Sequence, residues 1–315
     1  MKFSLPLILV LAASPLMAQN VQFSADLDMP NNVIGWSVVS SVGSINVSPS
    51  TFRLGGTMDF KLDSANAPFT SGSFNGSLAF TNPNTLHGTI PNPLPFFPPL
   101  VEFDLTGLEF AMSTPSFTID PVTGDFTTDV TLVVTRGQNV MTGLLGNSNE
   151  SVAGLVTAPT TISGNVSQSG TVIDMWMDLN LQIDMVDAAT GVTSTVTFTG
   201  DIDCFTYSTD ANSMHLDVPY GMTGGASSTL SFTNATPSST VYLAGSGSGR
   251  GVFSVPSLGV DIGMNNPQHA ATASADGSGN GSFSLYVPSS MVGLSVLLQT
   301  VQSGHVSNVA GTFIQ

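Results

Sequence analysis

Cysteine and basic residues are scarce in this chain of 315 residues, and each scarcity excludes a class of protein. Cys204 is the only cysteine, so an intrachain disulfide is excluded and the thiol is expected to be a small buried hydrophobe. Five lysine and arginine residues stand against 21 acidic ones; removing the predicted signal peptide removes Lys2, which leaves 4 − 21 = −17. Such a charge repels phosphate backbones, so nucleic acid is excluded as a partner.

Catalytic and membrane-spanning signatures are missing too. After the first 18 residues no segment approaches eighteen consecutive apolar residues, so no transmembrane segment is expected. The sequence has no nucleophile elbow, no HExxH zinc motif, no P-loop and no dinucleotide fingerprint. The four histidines are scattered singly, without the spacing of metal ligands. These absences favour a non-catalytic protein that needs no cofactor, with calcium as the one open case.

The first 18 residues have the composition of a secretory signal peptide. They read MKFSLPLILVLAASPLMA, a positive start followed by an apolar stretch and a small residue, Ala18. This stretch is too short for a membrane-spanning helix. The sequence therefore predicts export, with a secreted or cell-surface location. Export without disulfides is typical of a bacterial protein.

Long alternating segments show that the chain is built from β-strands. Residues 171–186 read TVIDMWMDLNLQIDMV, with apolar side chains at every second position, as in a strand with one buried face. A loop over 188–191 would place Leu181 opposite Phe198 and Ile183 opposite Val196, so that apolar side chains meet on one face. We therefore predict a large antiparallel β-sandwich with long strands.

An earlier hairpin repeats the turn sequence Asp-x-x-Thr-Gly. It occupies residues 120–124, and the same pattern recurs at 187–191. The aspartate side chain can accept backbone N–H bonds, and the glycine can adopt the positive φ that closes the loop. We interpret Asp120 and Asp187 as turn residues, and we expect Ile119 to face Phe126.

Residues 91–99 read PNPLPFFPP, which a sheet interior cannot accommodate because proline cannot donate to the hydrogen-bond ladder. The segment is predicted to be an extended crossover or loop. Phe96 and Phe97 would form an interaction site if they were exposed. Since aromatic side chains are usually buried, we expect the loop to fold back and cap an open end of the sheet.

The last 94 residues differ from the rest, with seven or eight short strand candidates and turn signals every 8–12 residues. We place the domain boundary near 222, which gives a signal peptide at 1–18, a large all-β domain at 19–221 and an Ig-like β-sandwich at 222–315. Residues 272–288 read TASADGSGNGSFSLYVP and resemble the penultimate hairpin of bacterial Ig-like modules. The resemblance implies an accessory, spacer or adhesion role for this C-terminal segment.

Three acidic groups are candidate calcium ligands. Asp26 and Asp28 lie on one side of a predicted strand, as do Asp201 and Asp203. Asp276 and Asn280 imitate the start of a calcium loop, but Val287 occupies position twelve, where a bidentate glutamate is required. A hairpin turn therefore explains Asp276 better, and solvated strand faces explain the aspartate pairs.

Three functions remain open on the sequence. The leading hypothesis is a secreted or cell-surface protein that acts by binding or scaffolding, with a protein or glycan partner. The first alternative is an apolar-ligand binding protein, which a large apolar cavity would favour. The second is a glycan-active enzyme with an accessory Ig-like domain, for which Glu102 and Glu109 are conceivable carboxylates and a cleft with two carboxylates would be needed.

Overall fold

The computed structural model describes residues 21–94, 96–144, 146–186, 191–219 and 221–315, so the predicted signal peptide lies outside the described residues. The predicted all-β, antiparallel fold is confirmed. The first fourteen strands are β1 (Val21–Leu27), β2 (Val33–Ser40), β3 (Gly43–Ser44), β4 (Asn46–Ser48), β5 (Thr51–Leu62), β6 (Ser71–Asn82), β7 (Thr85–Ile90), β8 (Val101–Ser113), β9 (Phe117–Thr118), β10 (Asp125–Thr142), β11 (Ser148–Ser151), β12 (Thr160–Ser169), β13 (Val172–Val186) and β14 (Thr193–Tyr207).

These strands form one sheet that closes on itself. Strands β1 and β2 run in the same direction and both pair with β5 and β14, so together they act as one interrupted strand. From there the antiparallel pairings run β5, β6, β8, β10, β12, β13 and β14, and β14 returns to β1 and β2. Closure leaves no unpaired edge along this path, which protects long strands from pairing with other chains.

The hairpin of β13 and β14 has the predicted register. Leu181 lies opposite Phe198 and Ile183 opposite Val196, and the side chains of β13 alternate between buried and exposed. Asp187 and residues 188–190 lie outside the described residues, so the turn predicted for them stays a prediction.

The earlier Asp-x-x-Thr-Gly turn is confirmed. Ile119 pairs with Phe126, and the Asp120 carboxylate accepts hydrogen bonds from the backbone amides of Val122 (2.8 Å) and Thr123 (3.2 Å). Gly124 closes the turn with a φ of +81°, and its backbone amide donates to the Asp120 carbonyl oxygen.

Gly124→Ala is expected to lower the free energy of unfolding by about 2 kcal/mol, for two reasons. The alanine must keep the left-handed backbone conformation of the glycine, and its methyl group would overlap the Val166 carbonyl oxygen. Gly170→Ala is the matched control because Gly170 has a φ of +63° but no atom within 4 Å of an added Cβ. It should cost only about 1 kcal/mol, the backbone penalty alone. Urea denaturation measures both; equal losses would contradict the packing argument.

The interior of the closed sheet is filled by apolar side chains. Stacked and edge-on phenylalanines lie at its centre, among them Phe23 and Phe60 at 5.5 Å between ring centroids and Phe117 and Phe126 at 4.6 Å. Two pockets lined by core residues have volumes of only about 20 and 10 Å³. Met175 and Met177 are buried among these side chains and serve as ordinary core residues.

The remaining strands build a second β unit. They are β15 (His215–Asp217), β16 (Ser227–Thr233), β17 (Thr240–Ser246), β18 (Arg250–Val255), β19 (Val260–Met264), β20 (Gln268–Ser274), β21 (Gly281–Tyr286), β22 (Ser295–Gln302), β23 (His305–Val306) and β24 (Ala310–Phe313). One sheet contains β15, β16 and β21, and a second contains β20, β17 and β22, with β23 and β24 also paired to β22. Side chains from both sheets share one core, so the predicted C-terminal β-sandwich is confirmed.

The strand order of this sandwich matches the immunoglobulin pattern in part. In that pattern the first, second and fifth strands share one sheet, while the third, sixth and seventh share the other. Here β15, β16 and β21 take the first set of places and β17, β22 and β24 the second. The fourth strand, β20, pairs with the third instead of joining the first sheet, and the hairpin β18–β19 is inserted before it.

The two units pack directly on each other. Leu78 of β6 belongs to a small buried cluster with Met264 and Leu297 of the second unit. Polar contacts join them as well: the Asn308 side chain donates to the Asp59 carboxylate (2.8 Å), and Asn75 lies 3.3 Å from the His215 ring nitrogen. Residues 214–218, which precede the predicted boundary at 222, pack into the second core.

Candidate functional site

The proline-rich segment forms a projecting loop. It leaves β7 at Ile90 and returns to β8 at Val101, and the Leu100 amide donates to the Ile90 carbonyl oxygen (2.9 Å) to close its base. The Asn92 side chain bridges the loop, since its amide donates to the Pro98 carbonyl oxygen (3.2 Å) and its oxygen accepts from the Leu94 amide (3.0 Å). A loop that ties its own backbone together in this way projects as a defined tip.

The expectation that this loop folds back over the sheet is wrong. Phe96 is 97% exposed, Phe97 59% and Leu94 56%. The physical reason is local: five prolines between 91 and 99 restrict φ, and the Asn92 side chain bonds the loop to its own backbone instead of to the sheet. Phe96 and Phe97 are therefore exposed to solvent, which is the condition that the sequence analysis set for an interaction site.

Other exposed apolar side chains lie on strand ends and turns at the same end of the sheet. The strand ends that meet here are joined by the pairs Ile90–Val101 and Val186–Thr193. A Cβ on Gly43 would lie 3.5 Å from the Ile90 side chain, which places the β2–β3 turn beside the loop. We call the group the apolar end of the closed sheet; its exposed members are Val39, Val42, Leu94, Phe96, Phe97, Leu144 and Val186.

The two predicted aspartate pairs come together only in part. Asp28 and Asp203 line one pocket of about 270 Å³ with Asp174, beside the 41% exposed ring of Trp176. Partial burial, followed by the charges of Asp28, Asp201 and Asp174, raises the pKa of Asp203. Asp174 lies on β13, and its acidic neighbours in this pocket come from the residue that follows β1 and from β14.

Calcium binding at these aspartates stays a prediction. Within the described ranges, no group of three or more His, Cys, Asp or Glu side chains is arranged to hold a metal ion. Asp26 and Asp201, the other members of the two pairs, are exposed. The solvated-face interpretation accounts for both.

Asp276 is a turn residue, as the sequence favoured. Its carboxylate accepts hydrogen bonds from the backbone amides of Ser278 (2.8 Å) and Asn280 (2.9 Å), and these bonds lower the pKa of Asp276. Gly279 has a φ of +81° and completes the hairpin. The carboxylate is thus already engaged by its own loop, and calcium binding by Asp276 and Asn280 stays a prediction.

A cleft between the two units contains charged residues that sequence analysis had not singled out together. It has a volume of about 660 Å³, and Glu109, Arg136 and Arg250 line it. The Arg136 guanidinium lies 3.8 Å from the Glu109 carboxylate. Arg250 lies over the Phe80 ring, 4.6 Å from its centroid, and donates to the Leu78 carbonyl oxygen.

Burial dominates the electrostatics of this cleft. It raises the pKa of Glu109, although the charges of Arg250 and Arg136 oppose that shift. Burial also lowers the pKa of Arg250 to about 10, against the attraction of Glu109. Glu109 is thus a buried carboxylate compensated by arginines, an arrangement unlike the open carboxylate pair that a glycosidase needs. The only signal in the sequence was that two of its few cations are followed by glycine, at 136–137 and 250–251.

A separate apolar groove of about 480 Å³ lies in the second unit between its two sheets. No charged residue lines it, and its apolar walls include Met222, Leu285, Met291, Val296, Leu298 and Ile314. No sequence pattern predicted this groove, because its walls come from separate strands of the second unit.

Comparison with known proteins gives structural neighbours of low similarity. No protein-family model and no curated protein matches the chain. Solved structures of Escherichia coli alpha-2-macroglobulin activated by porcine elastase and Salmonella alpha-2-macroglobulin reacted with methylamine align with TM-scores of 0.24 and 0.26, at 10% and 7% identity. The alignments cover 94% and 93% of this chain but only 42% and 38% of those proteins. No helix in the described part of the chain is long and apolar enough to span a membrane.

Proposed function

We propose that this is a secreted or cell-surface protein without catalytic activity, which binds a protein or glycan partner through the apolar end of its closed sheet. The observation that carries the proposal is the exposure of Phe96 and Phe97 at the tip of a proline-rich loop. Exposed apolar patches mark interaction sites, and aromatic side chains are enriched among the residues that contribute most to binding.

The tip is suited to binding because it is ordered before the partner arrives. Prolines and the Asn92 bridge restrict the loop, so little conformational entropy remains to be lost when Phe96 and Phe97 are covered. The segment 91–99 has no charged residue, so its contact does not require desolvation of charge. The acidic surface elsewhere keeps the unbound protein soluble.

The double variant Phe96→Ser with Phe97→Ser is expected to reduce binding at least tenfold while leaving the melting temperature unchanged, because both rings are exposed. The measurement is saturation binding of fluorescently labelled mature protein to cells of the producing organism from which the gene has been deleted. Val122→Ser is the matched control, since Val122 is 91% exposed on a turn away from the apolar end.

Unchanged binding by the double variant would show that the partner contacts another surface. If the double variant and Val122→Ser lost the same amount of binding, binding would depend on general surface hydrophobicity and not on the apolar end. Either result contradicts the assignment of the apolar end.

A second candidate function is the binding of an apolar small molecule, which the groove of the second unit favours. Its volume of about 480 Å³ falls within the range of ligand pockets, and its lining is uncharged. A fluorescent fatty acid should bind the wild-type protein, and Leu298→Gln should weaken this binding. Leu94→Gln, which makes the same change outside the groove, is the control and should bind like wild type. Equal binding by both variants would count against this candidate.

A further inference from the structure

The cleft between the two units concentrates positive charge in a strongly acidic protein. Only four cations follow the predicted signal peptide, and two of them, Arg136 and Arg250, line this cleft. Glu109 offsets one of the two charges, so the three side chains together carry +1. A net positive charge within low-dielectric walls raises the local concentration of negatively charged ligands.

The two arginines differ in their contacts with the protein. Arg250 is committed to the protein, since it donates to the Leu78 carbonyl oxygen and packs over Phe80. Arg136 is not: its side chain is 35% exposed, and among the described residues its one polar partner is Glu109 at 3.8 Å, longer than a hydrogen bond. Its guanidinium therefore keeps N–H donors that no described protein group accepts, although Gly249 packs against one terminal nitrogen.

The surroundings of Arg136 favour a polar ligand of modest size. The hydroxyl and amide side chains that line the cleft come from both units: Asn84, Thr106, Gln138, Ser248 and Ser295. Gly249 lies directly against the guanidinium, because a Cβ there would be 2.7 Å from an Arg136 terminal nitrogen. The volume of about 660 Å³ lies in the range of small-molecule sites.

We propose that this cleft binds a singly charged, hydroxyl-rich carboxylate, the chemistry of a uronic acid, through a bidentate contact with Arg136. The guanidinium fork matches a planar carboxylate in geometry, and the hydroxyl and amide side chains around it match the sugar hydroxyls. Glu109 disfavours a second negative charge on the ligand. This site is separate from the apolar end and goes beyond the function proposed above.

The test is isothermal titration of the full mature protein with glucuronate, with glucose as the neutral probe of the same shape. Glucuronate is expected to bind and glucose to bind at least tenfold more weakly. Arg136→Met should reduce glucuronate binding at least tenfold, and Arg136→Lys should recover only part of it because lysine lacks the fork. Arg53→Met removes the same charge at an exposed site and should bind like wild type.

Three results would contradict the proposal that Arg136 binds a uronic acid in this cleft. No heat of glucuronate binding at 10-fold excess over about 1 mM protein sites would overturn it, as would equal affinities for glucose and glucuronate. Wild-type affinity in both Arg136 variants would also overturn it. If thermal melts show that Arg136→Met is unfolded, the test rests on glucuronate binding by Arg136→Lys and on the comparison of glucuronate with glucose.

Discussion

Arg250→Met is expected to lower the free energy of unfolding by about 3 kcal/mol, because it removes the contacts of Arg250 and leaves the buried Glu109 carboxylate with only Arg136 for compensation. Arg250 donates to the Leu78 carbonyl oxygen and lies over the Phe80 ring, so it also joins the second unit to the closed sheet. Without it, Glu109 keeps only Arg136, 3.8 Å away, and its buried carboxylate loses its larger source of compensation.

Urea denaturation measures this loss, and a double-variant cycle assigns its cause. Combining Arg250→Met with Glu109→Gln should recover more than half of the lost stability, since no buried charge is then left without a partner. Arg53→Met, at an exposed position where the guanidinium donates only to the Met29 and Pro30 carbonyl oxygens, should cost about 1 kcal/mol or less. If Arg250→Met and Arg53→Met had the same effect, the charged cluster would have no structural role.

Asp59→Asn is expected to raise the free energy of unfolding at pH 7 by about 3 kcal/mol. Asp59 is 2% exposed, and burial raises its pKa from 3.8 to about 6, with hydrogen bonds from Ser24 and Asn308 opposing the shift. The difference between these pKa values corresponds to about 3 kcal/mol, which the folded state loses when the carboxyl ionises. An asparagine keeps an acceptor for Asn308 and carries no charge.

The pH dependence fixes the sign of this effect. Below about pH 4 the Asp59 carboxyl is protonated in both folded and unfolded chains, so its full contribution to stability is present and the substitution gains nothing. Between about pH 4 and 6 the unfolded chain loses this proton while the folded chain still holds it, so the wild type loses stability across this window and the full advantage of the variant is reached above pH 6. Melting temperatures at pH 4 and pH 7 test this, with the exposed Asp217→Asn as control. A gain that is equal at both pH values would contradict the burial argument.

The strands and turns could be predicted because their causes are local. The alternation in 171–186 gave both the strand and its buried face, and the pairing of Leu181 with Phe198 followed from matching apolar faces. The closure of the sheet could not be predicted in this way. It depends on the pairing of β8 with β10 and on β1 and β2 acting as one interrupted strand, and no periodicity in the sequence reports such long-range pairings.

The candidate sites were predictable to different degrees. The loop at Phe96 and Phe97 was predicted from its prolines, but its exposure was not, because a general tendency of aromatic side chains to be buried outweighed the local geometry. The cleft could not be predicted, since Glu109, Arg136 and Arg250 come from separate strands and meet only when the two units pack. The pocket of Asp28, Asp174 and Asp203 likewise combines β13 and β14 with the residue that follows β1.

The most direct test of binding through the apolar end uses a cysteine introduced at the loop tip, because the native thiol is buried. Cys204 is 3% exposed, and burial raises the pKa of its thiol, so a thiol-reactive dye at neutral pH labels only an introduced cysteine. An environment-sensitive dye on Phe97→Cys should shift its emission to the blue when the protein binds to the gene-deleted cells, while the same dye on Val122→Cys should not. Binding without any shift at position 97 would contradict the claim that the apolar end is the binding surface.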